Sequence, residues 1–238
     1  MRKEFVLLSG LFAFSLPAWA EDVDVRAHYT ETAVSNLDRM LAVYEAIETD
    51  HGQPTGMKLT VCGTITPGDK PVGDAHLYLA AEGGHVAITR QGDCRIAVPE
   101  QQSLRAQNPS VMAALSPGET IVFSGQVELP LAPQERLPVS ELRKWAHKLD
   151  DRISEKAGFI ASAFVPDTRK AVIVVGTGTS LSIENGGRSR PLVINKGSES
   201  YLYTLDLRSL KPDATLVSDR PISKVSLEVP VPLGEWKR

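Results

Sequence analysis

The chain has little cysteine, little aromatic character and almost no net charge. Of its 238 residues two are cysteine and 6% are aromatic, and the formal net charge is −3. Two cysteines are too few for a disulfide-rich miniprotein or a four-cysteine zinc site. No Cys-x-x-Cys pair is present to suggest thioredoxin-like redox chemistry. The near balance of charge lacks the basic surplus of a nucleic-acid binder, so no nucleic-acid partner is expected. With 42% hydrophobic residues the composition is too apolar for a disordered chain. Long apolar runs are missing beyond residue 20. A membrane span needs about 20 apolar residues, whereas the runs at 159–165 and 171–175 have strand length. No membrane span is expected in the mature chain.

What is present starts at the N-terminus. Arg2 and Lys3 form a basic head, Phe5 to Leu16 an apolar stretch, and Pro17 breaks it before Ala18-Trp19-Ala20. Small side chains flanking a tolerated residue suit a signal peptidase pocket, so residues 1–20 are predicted to be a cleaved secretory signal. Cleavage removes Arg2, Lys3 and Glu4 and leaves 218 residues at net −4. No cysteine follows the cleavage site, so a lipid anchor is not expected. The predicted compartment is oxidising, most simply a bacterial periplasm. Cys62 and Cys94 are therefore expected to pair. The loop they close is worth about 3–4 kcal/mol in the chain-entropy account.

The hydrophobic pattern predicts an α+β, β-dominated fold of antiparallel β-sandwich-like units with two amphipathic helices. Val34, Leu37, Met40, Leu41, Tyr44 and Ile47 recur at helical steps and predict a helix over 31–49, capped by Thr30, Thr32 or Ser35. From Met57 the period becomes two, and Leu59, Val61, Gly63 and Ile65 form one face of a strand. A hairpin over 75–90 follows, with Gly83-Gly84 as its expected two-residue turn. Further strands are expected at 94–98 and 121–129, with a short helix and loop over 100–115. Alternation puts Cys62 on the polar face. Its pairing with Cys94 therefore requires a bulge at Gly63, a second covered face, or a bond at a sheet edge.

Pro130, Pro133 and Pro138 mark a linker. A second helix is expected at 140–156, capped by Ser140, with Leu142, Trp145, Ala146, Leu149 and Ile153 as its stripe and Gly158 as its stop. Short strands are expected at 159–165, 170–175, 179–184, 189–194, 201–206 and 222–229. The organisation read from this is an N-terminal segment with helix (21–56), a β unit with a short helical insertion (57–132), a linker and helix (133–158), and a C-terminal β unit (159–238). A single continuous domain is the alternative. No internal repeat is legible.

Within the first β unit, Gly63-Thr-Ile-Thr-Pro-Gly-Asp-Lys-Pro-Val-Gly-Asp-Ala-His-Leu-Tyr-Leu79 resembles the opening of carboxypeptidase-regulatory-like β-sandwich modules. These read G-x-V, a turn, then P-x-x-G-A and alternating apolar residues; here Asp74 intrudes before Ala75. The resemblance covers under a tenth of the chain and implies a non-catalytic β-sandwich in residues 57–130.

Catalytic constellations are as scarce as cysteine. The histidines, at 28, 51, 76, 85 and 147, form no HExxH motif. His28 is the eighth residue of the predicted mature chain, too late for an amino-terminal copper site. Hairpin geometry holds His76 and His85 too far apart to share a metal. His147 and Asp151 are four apart on a helix, a spacing that fits a dyad or a surface pair. There is no G-x-S-x-G elbow and no S-x-x-K. Gly176-Thr-Gly-Thr-Ser180 reads as a turn. No catalytic residue, metal ligand or cofactor is assigned.

The one cluster suited to an anion is Asn185-Gly-Gly-Arg-Ser-Arg190. There Arg188 and Arg190 share a strand face and would hold a phosphate or carboxylate. The same arginines would also serve as edge-guarding charges. The expectation is an exported, soluble, non-catalytic protein of binding or envelope-structural type, its partner an unknown envelope protein or anionic ligand. The alternative is a periplasmic hydrolase of glycan or peptide whose site is assembled from distant residues.

Overall fold

The computed structural model describes residues 29–99, 101–157 and 168–229. The signal sequence, His28, Gly158 and the strand expected at 159–165 lie outside the described residues.

The first half of the chain runs β1 (Thr30–Asn36), α1 (Leu37–Glu48), a two-residue pair β2 (Thr49–Asp50) and β3 (Gln53–Pro54), then β4 (Lys58–Thr66) and β5 (Lys70–Pro71). It continues with β6 (Tyr78–Ala81), β7 (Gly84–Ala87), α2 (Gln102–Gln107), β8 (Ser110–Leu115) and β9 (Thr120–Glu128). The second half runs β10 (Gln134–Pro138), α3 (Val139–Ala157), β11 (Lys170–Val175), β12 (Ser180–Asn185) and β13 (Arg188–Ile194). It ends with β14 (Tyr201–Asp206), β15 (Thr215–Ile222) and β16 (Val225–Glu228). The fold is α+β and dominated by antiparallel sheet. No helix among the described residues is long and apolar enough to cross a membrane.

The two halves repeat one connection. The outer sheets are ordered β1-β8-β6-β7 and β10-β15-β12-β13, which is the same pattern twice. The largest sheet has six strands, β14-β11-β16-β9-β4-β5, three from each half. Its middle pair, β9 with β16, is centred on Val127 opposite Leu227. A two-fold at that point equates Leu59 with Ala171, because they pair with Val127 and Leu227 respectively. It equates Val61 with Ile173 and Cys62 with Val174 by the same register. Val174 pairs with Leu202 in β14, and Cys62 forms an isolated bridge with Arg95. Arg95 therefore stands where the second half has Leu202. Scattered identities mark this duplication, Glu128 with Glu228 in the central pair and Gly83 with Gly187 in the hairpin turns, and strand pairing carries the rest.

Several elements differ from the sequence pattern. The helix expected from residue 31 begins at Leu37. Residues 30–36 pair with β8 instead, and Asn36 caps the helix by accepting the Arg39 N–H at 2.9 Å. Asn108, in the left-handed region at φ 44°, accepts the Asp38 N–H at 2.9 Å, so a second orphan donor is met from a distant loop. Ser140 does not precede the second helix; α3 opens one residue earlier, at Val139. The proline-rich stretch ends in β10, which pairs with β15, so it is partly sheet. β8 lies in the stretch expected to be a short helix and loop, and β15 lies almost wholly in 207–221, where the pattern names no element. β15 carries Asp219, Arg220 and Pro221, which hide its period, yet Leu216 and Ile222 are buried.

One continuous core joins both halves, from Leu37 on α1 to Val229 after β16. The stripe of α3 packs as its spacing implies, with Leu142, Leu149 and Ile153 fully buried. Across the halves Arg152 of α3 is buried at 8% exposure. Its guanidinium donates to the Ala46 carbonyl at 3.1 Å and to the Thr49 carbonyl, and it meets Asp50 at 2.8 Å and Glu155 at 2.7 Å. These are the free carbonyls at the C-terminal end of α1, where a cation is also favoured by the helix dipole.

Candidate functional site

The site grows out of the bond between Cys62 and Cys94, which are joined as a disulfide with Cα atoms 4.7 Å apart. β4 keeps an unbroken register with β9 from Lys58 to Thr66, so there is no bulge at Gly63. The bond lies at the sheet edge. On the side of β4 away from β9, the segment 92–98 runs as a strap beside it. The Gly63 N–H donates to the Cys94 carbonyl at 2.8 Å, and the Ile96 N–H to the Val61 carbonyl at 2.9 Å. Gly63 is glycine for another reason: a Cβ there would sit 2.8 Å from the Val72 side chain.

The strap is also held from behind. The Gly73 N–H donates to the Asp93 carbonyl at 3.0 Å, and the Ala97 N–H to the Ile88 carbonyl at 2.8 Å. A Cβ on Gly73 would lie 1.9 Å from the Arg90 carbonyl oxygen, so only glycine lets these backbones meet.

In the second half the equivalent pair, β11 with β14, continues over six residues. In the first half it fails after Cys62–Arg95. Two side chains of α1 stand in its place: Tyr44, whose hydroxyl bonds the Val61 backbone and the Ile96 carbonyl, and Glu48, the last residue of the helix. By the two-fold, Leu59 should pair with Val98 as Ala171 pairs with Leu205. The Leu59 N–H instead donates to the Glu48 carboxylate at 2.8 Å. With that ladder bond diverted, strap and strand part.

A groove of about 570 Å³ opens there, within the range of small-molecule sites. Ala87, Ala97 and Val98 give it accessible apolar surface, with Leu59, Ile88 and Ile96 buried behind it, and Arg90, Asp93 and Arg95 line it with charge. Arg95 and Asp93 are 3.9 Å apart, a loose pair. Tyr44 reaches in from α1, and its hydroxyl donates to the Ile96 carbonyl at 3.4 Å. Burial, helped by the charge on Glu48, pushes the Tyr44 hydroxyl up to about 12, so it stays protonated as a donor.

Arg188 and Arg190, the predicted anion cluster, lie elsewhere. Gly186 and Gly187, at φ 55° and 76°, make a tight hairpin turn between β12 and β13, and both arginines are exposed on that edge strand. Arg190 pairs with Ile183, which is buried, so it projects from the core-facing side at the sheet border. Inward-pointing charge at a border is an edge-guarding device.

The expected hairpin over 75–90 exists with a different turn. Ala81 pairs with Gly84, so Glu82-Gly83 is the loop and the register moves by one. His85 then lies opposite Ala80 and stacks on Tyr78, with ring centroids 4.1 Å apart. His76 ends a 3-10 turn in the left-handed region at φ 47°. Among the described residues no group of three His, Cys, Asp or Glu side chains is placed to hold a metal. His147 borders a cavity with Arg143, Asp150 and Arg208, where Asp150 accepts the N–H and hydroxyl of Thr168. No hydrogen bond among the described residues joins His147 to Asp151.

Glu48 and Gly73 are not among the candidate site residues that the sequence offers. Only the glycine, beside two turns, carried any local signal. No family model matches the chain, and no curated protein or solved structure matches it significantly.

Proposed function

We propose that the chain is an exported, non-catalytic binding protein whose ligand lies in the groove between β4 and the disulfide-held strap. The observation that carries this reading is the groove itself. It is a concavity of about 570 Å³ with apolar walls, two arginines at its rim, and a wall fixed by a covalent bond. A preformed site of this kind suits a ligand with an apolar body and one anionic group, because the arginines supply charge-assisted donors and Ala87, Ala97 and Val98 supply apolar contact. Export into an oxidising compartment is supported by the N-terminal pattern and by the disulfide.

N-Octanoylglycine is the simplest probe, since it joins an apolar chain to a carboxylate through a cleavable amide. Calorimetric titration is expected to give saturable binding. A variant carrying Arg90→Ala and Arg95→Ala is expected to bind at least about tenfold more weakly, the loss of one or two charge-assisted hydrogen bonds. The probe should be recovered intact. Equal binding by the variant contradicts the site, and cleavage of the amide would favour the hydrolase reading instead.

A further inference from the structure

The three large sheets end, among the described residues, in β5, β14, β1, β7, β10 and β13. Five of these edges carry a recognisable guard. β5 has two residues, one of them proline, and β7 has four. β1 carries Glu31 and a register break between Ala33 and Ser35. β10 holds Glu135, Arg136 and Pro138, and β13 holds Arg188, Arg190 and Pro191. Such features keep an open ladder from pairing with another chain.

β14 carries only one charge, Asp206, at its last position. Tyr201-Leu-Tyr-Thr-Leu-Asp206 contains no proline and no basic residue, and its register with β11 is unbroken over six residues. Leu202 is 60% exposed on it. The strand is also held ready. Asn195, 5% exposed, donates to the carbonyls of Val175, Gly176 and Glu199 at 2.8–3.0 Å and accepts the Gly197 N–H, fixing the loop that enters β14. The repeat supplies a comparison: the position of Leu202 is taken in the first half by Arg95, on a segment tied down by a disulfide. One copy of the edge is charged and tethered; the other is mainly apolar and has no further strand beside it among the described residues.

The direction of its free groups follows from the ladder. The Leu207 N–H donates to the Arg169 carbonyl, so Leu207, Leu205, Tyr203 and Tyr201 point their backbone groups at β11. Those of Leu202 and Thr204 face outward.

We propose that β14 is the edge through which two copies of this chain pair, antiparallel, with Tyr203 facing its counterpart. That register sets Leu202 against Thr204 and Tyr201 against Leu205, with Asp206 against Ser200, so no like charges are opposed and an aromatic pair forms at the centre. A self-complementary strand needs no other partner. The chain already joins its own halves by the same device, β9 with β16 about a two-fold.

Light scattering on the full oxidised chain tests this. The expected mass is that of two chains for the wild type. It should fall to one chain for Leu202→Arg, which copies the residue of the first half, and for Thr204→Pro, which removes an outward N–H and places a ring at the open edge. Circular dichroism is expected to be unchanged in both. The chain has no free thiol beyond the bonded pair, so Tyr203→Cys adds a single one. Oxidation is expected to cross-link that variant to a covalent dimer and to leave Thr204→Cys monomeric on a denaturing gel. A wild type of one-chain mass, or a dimer that survives both edge variants, overturns the proposal.

Discussion

Single residues carry more of this fold than their type suggests. Arg152 is the clearest, because one side chain closes the end of α1 and ties it to α3. Replacing it by methionine keeps the apolar stem and deletes the donors. The expected loss is about 2–3 kcal/mol in denaturant unfolding, since the carbonyls of Ala46 and Thr49 lose charge-assisted bonds while Asp50 and Glu155 remain hydrated. A loss below about 0.5 kcal/mol would mean that water replaces the guanidinium. Tyr44 gives the pH test. Its hydroxyl titrates near 10 in the unfolded chain and at about 12 in the folded one, because burial opposes the charged form. Stability is therefore unaffected below pH 10 and declines as pH rises from there toward 12, where the unfolded state alone releases the proton. Tyr44→Phe should lack that component of the decline. Identical alkaline profiles for the two proteins contradict the assignment.

At the scale of elements, the disulfide is the feature that shapes the site. Cys62 and Cys94 are 32 positions apart and join a strand to the strap beside it. Reduction is expected to lower unfolding stability by about 3–4 kcal/mol from loop entropy. It should also raise amide exchange across 92–98, which is otherwise bonded to β4 and to 88–90. Exchange that stays equally slow after reduction would show that hydrogen bonds alone hold the strap. The pairing was legible from compartment and count; its place was not, because a period-two pattern assigns faces but not edges. The strands that pattern located best, β4 and β9, alternate buried with more exposed residues along most of their length. Those it missed are short or dense in charge and proline, such as β10 and β15, and their place is set by partners. The turn at Glu82-Gly83 slipped by one because three candidate turn residues stand in a row.

For the whole molecule, the larger lesson is the duplication. Two halves with one topology share a central sheet, yet their sequences match only at scattered positions such as Glu128 and Glu228, because burial asks only for apolar residues at matched positions. The proposed site lies where the halves depart from each other. Glu48 takes the Leu59 N–H, the strap leaves β4, and a groove appears where the second half has continuous sheet. No local pattern marks that event, since it joins a helix end, a strand and a strap from three parts of the chain. Helix stripes, clean strands and the cysteine pair were readable; sites made by divergence were not.

The most direct measurement is a chemical-shift map of the backbone amides as N-octanoylglycine is added to the oxidised protein. The account predicts that the moving resonances are those of Leu59, Thr60 and residues 88–98, and that Glu48→Ala changes their pattern by freeing the Leu59 N–H. Shifts confined to the hairpin at Arg188 and Arg190, or none at saturating probe, would contradict it.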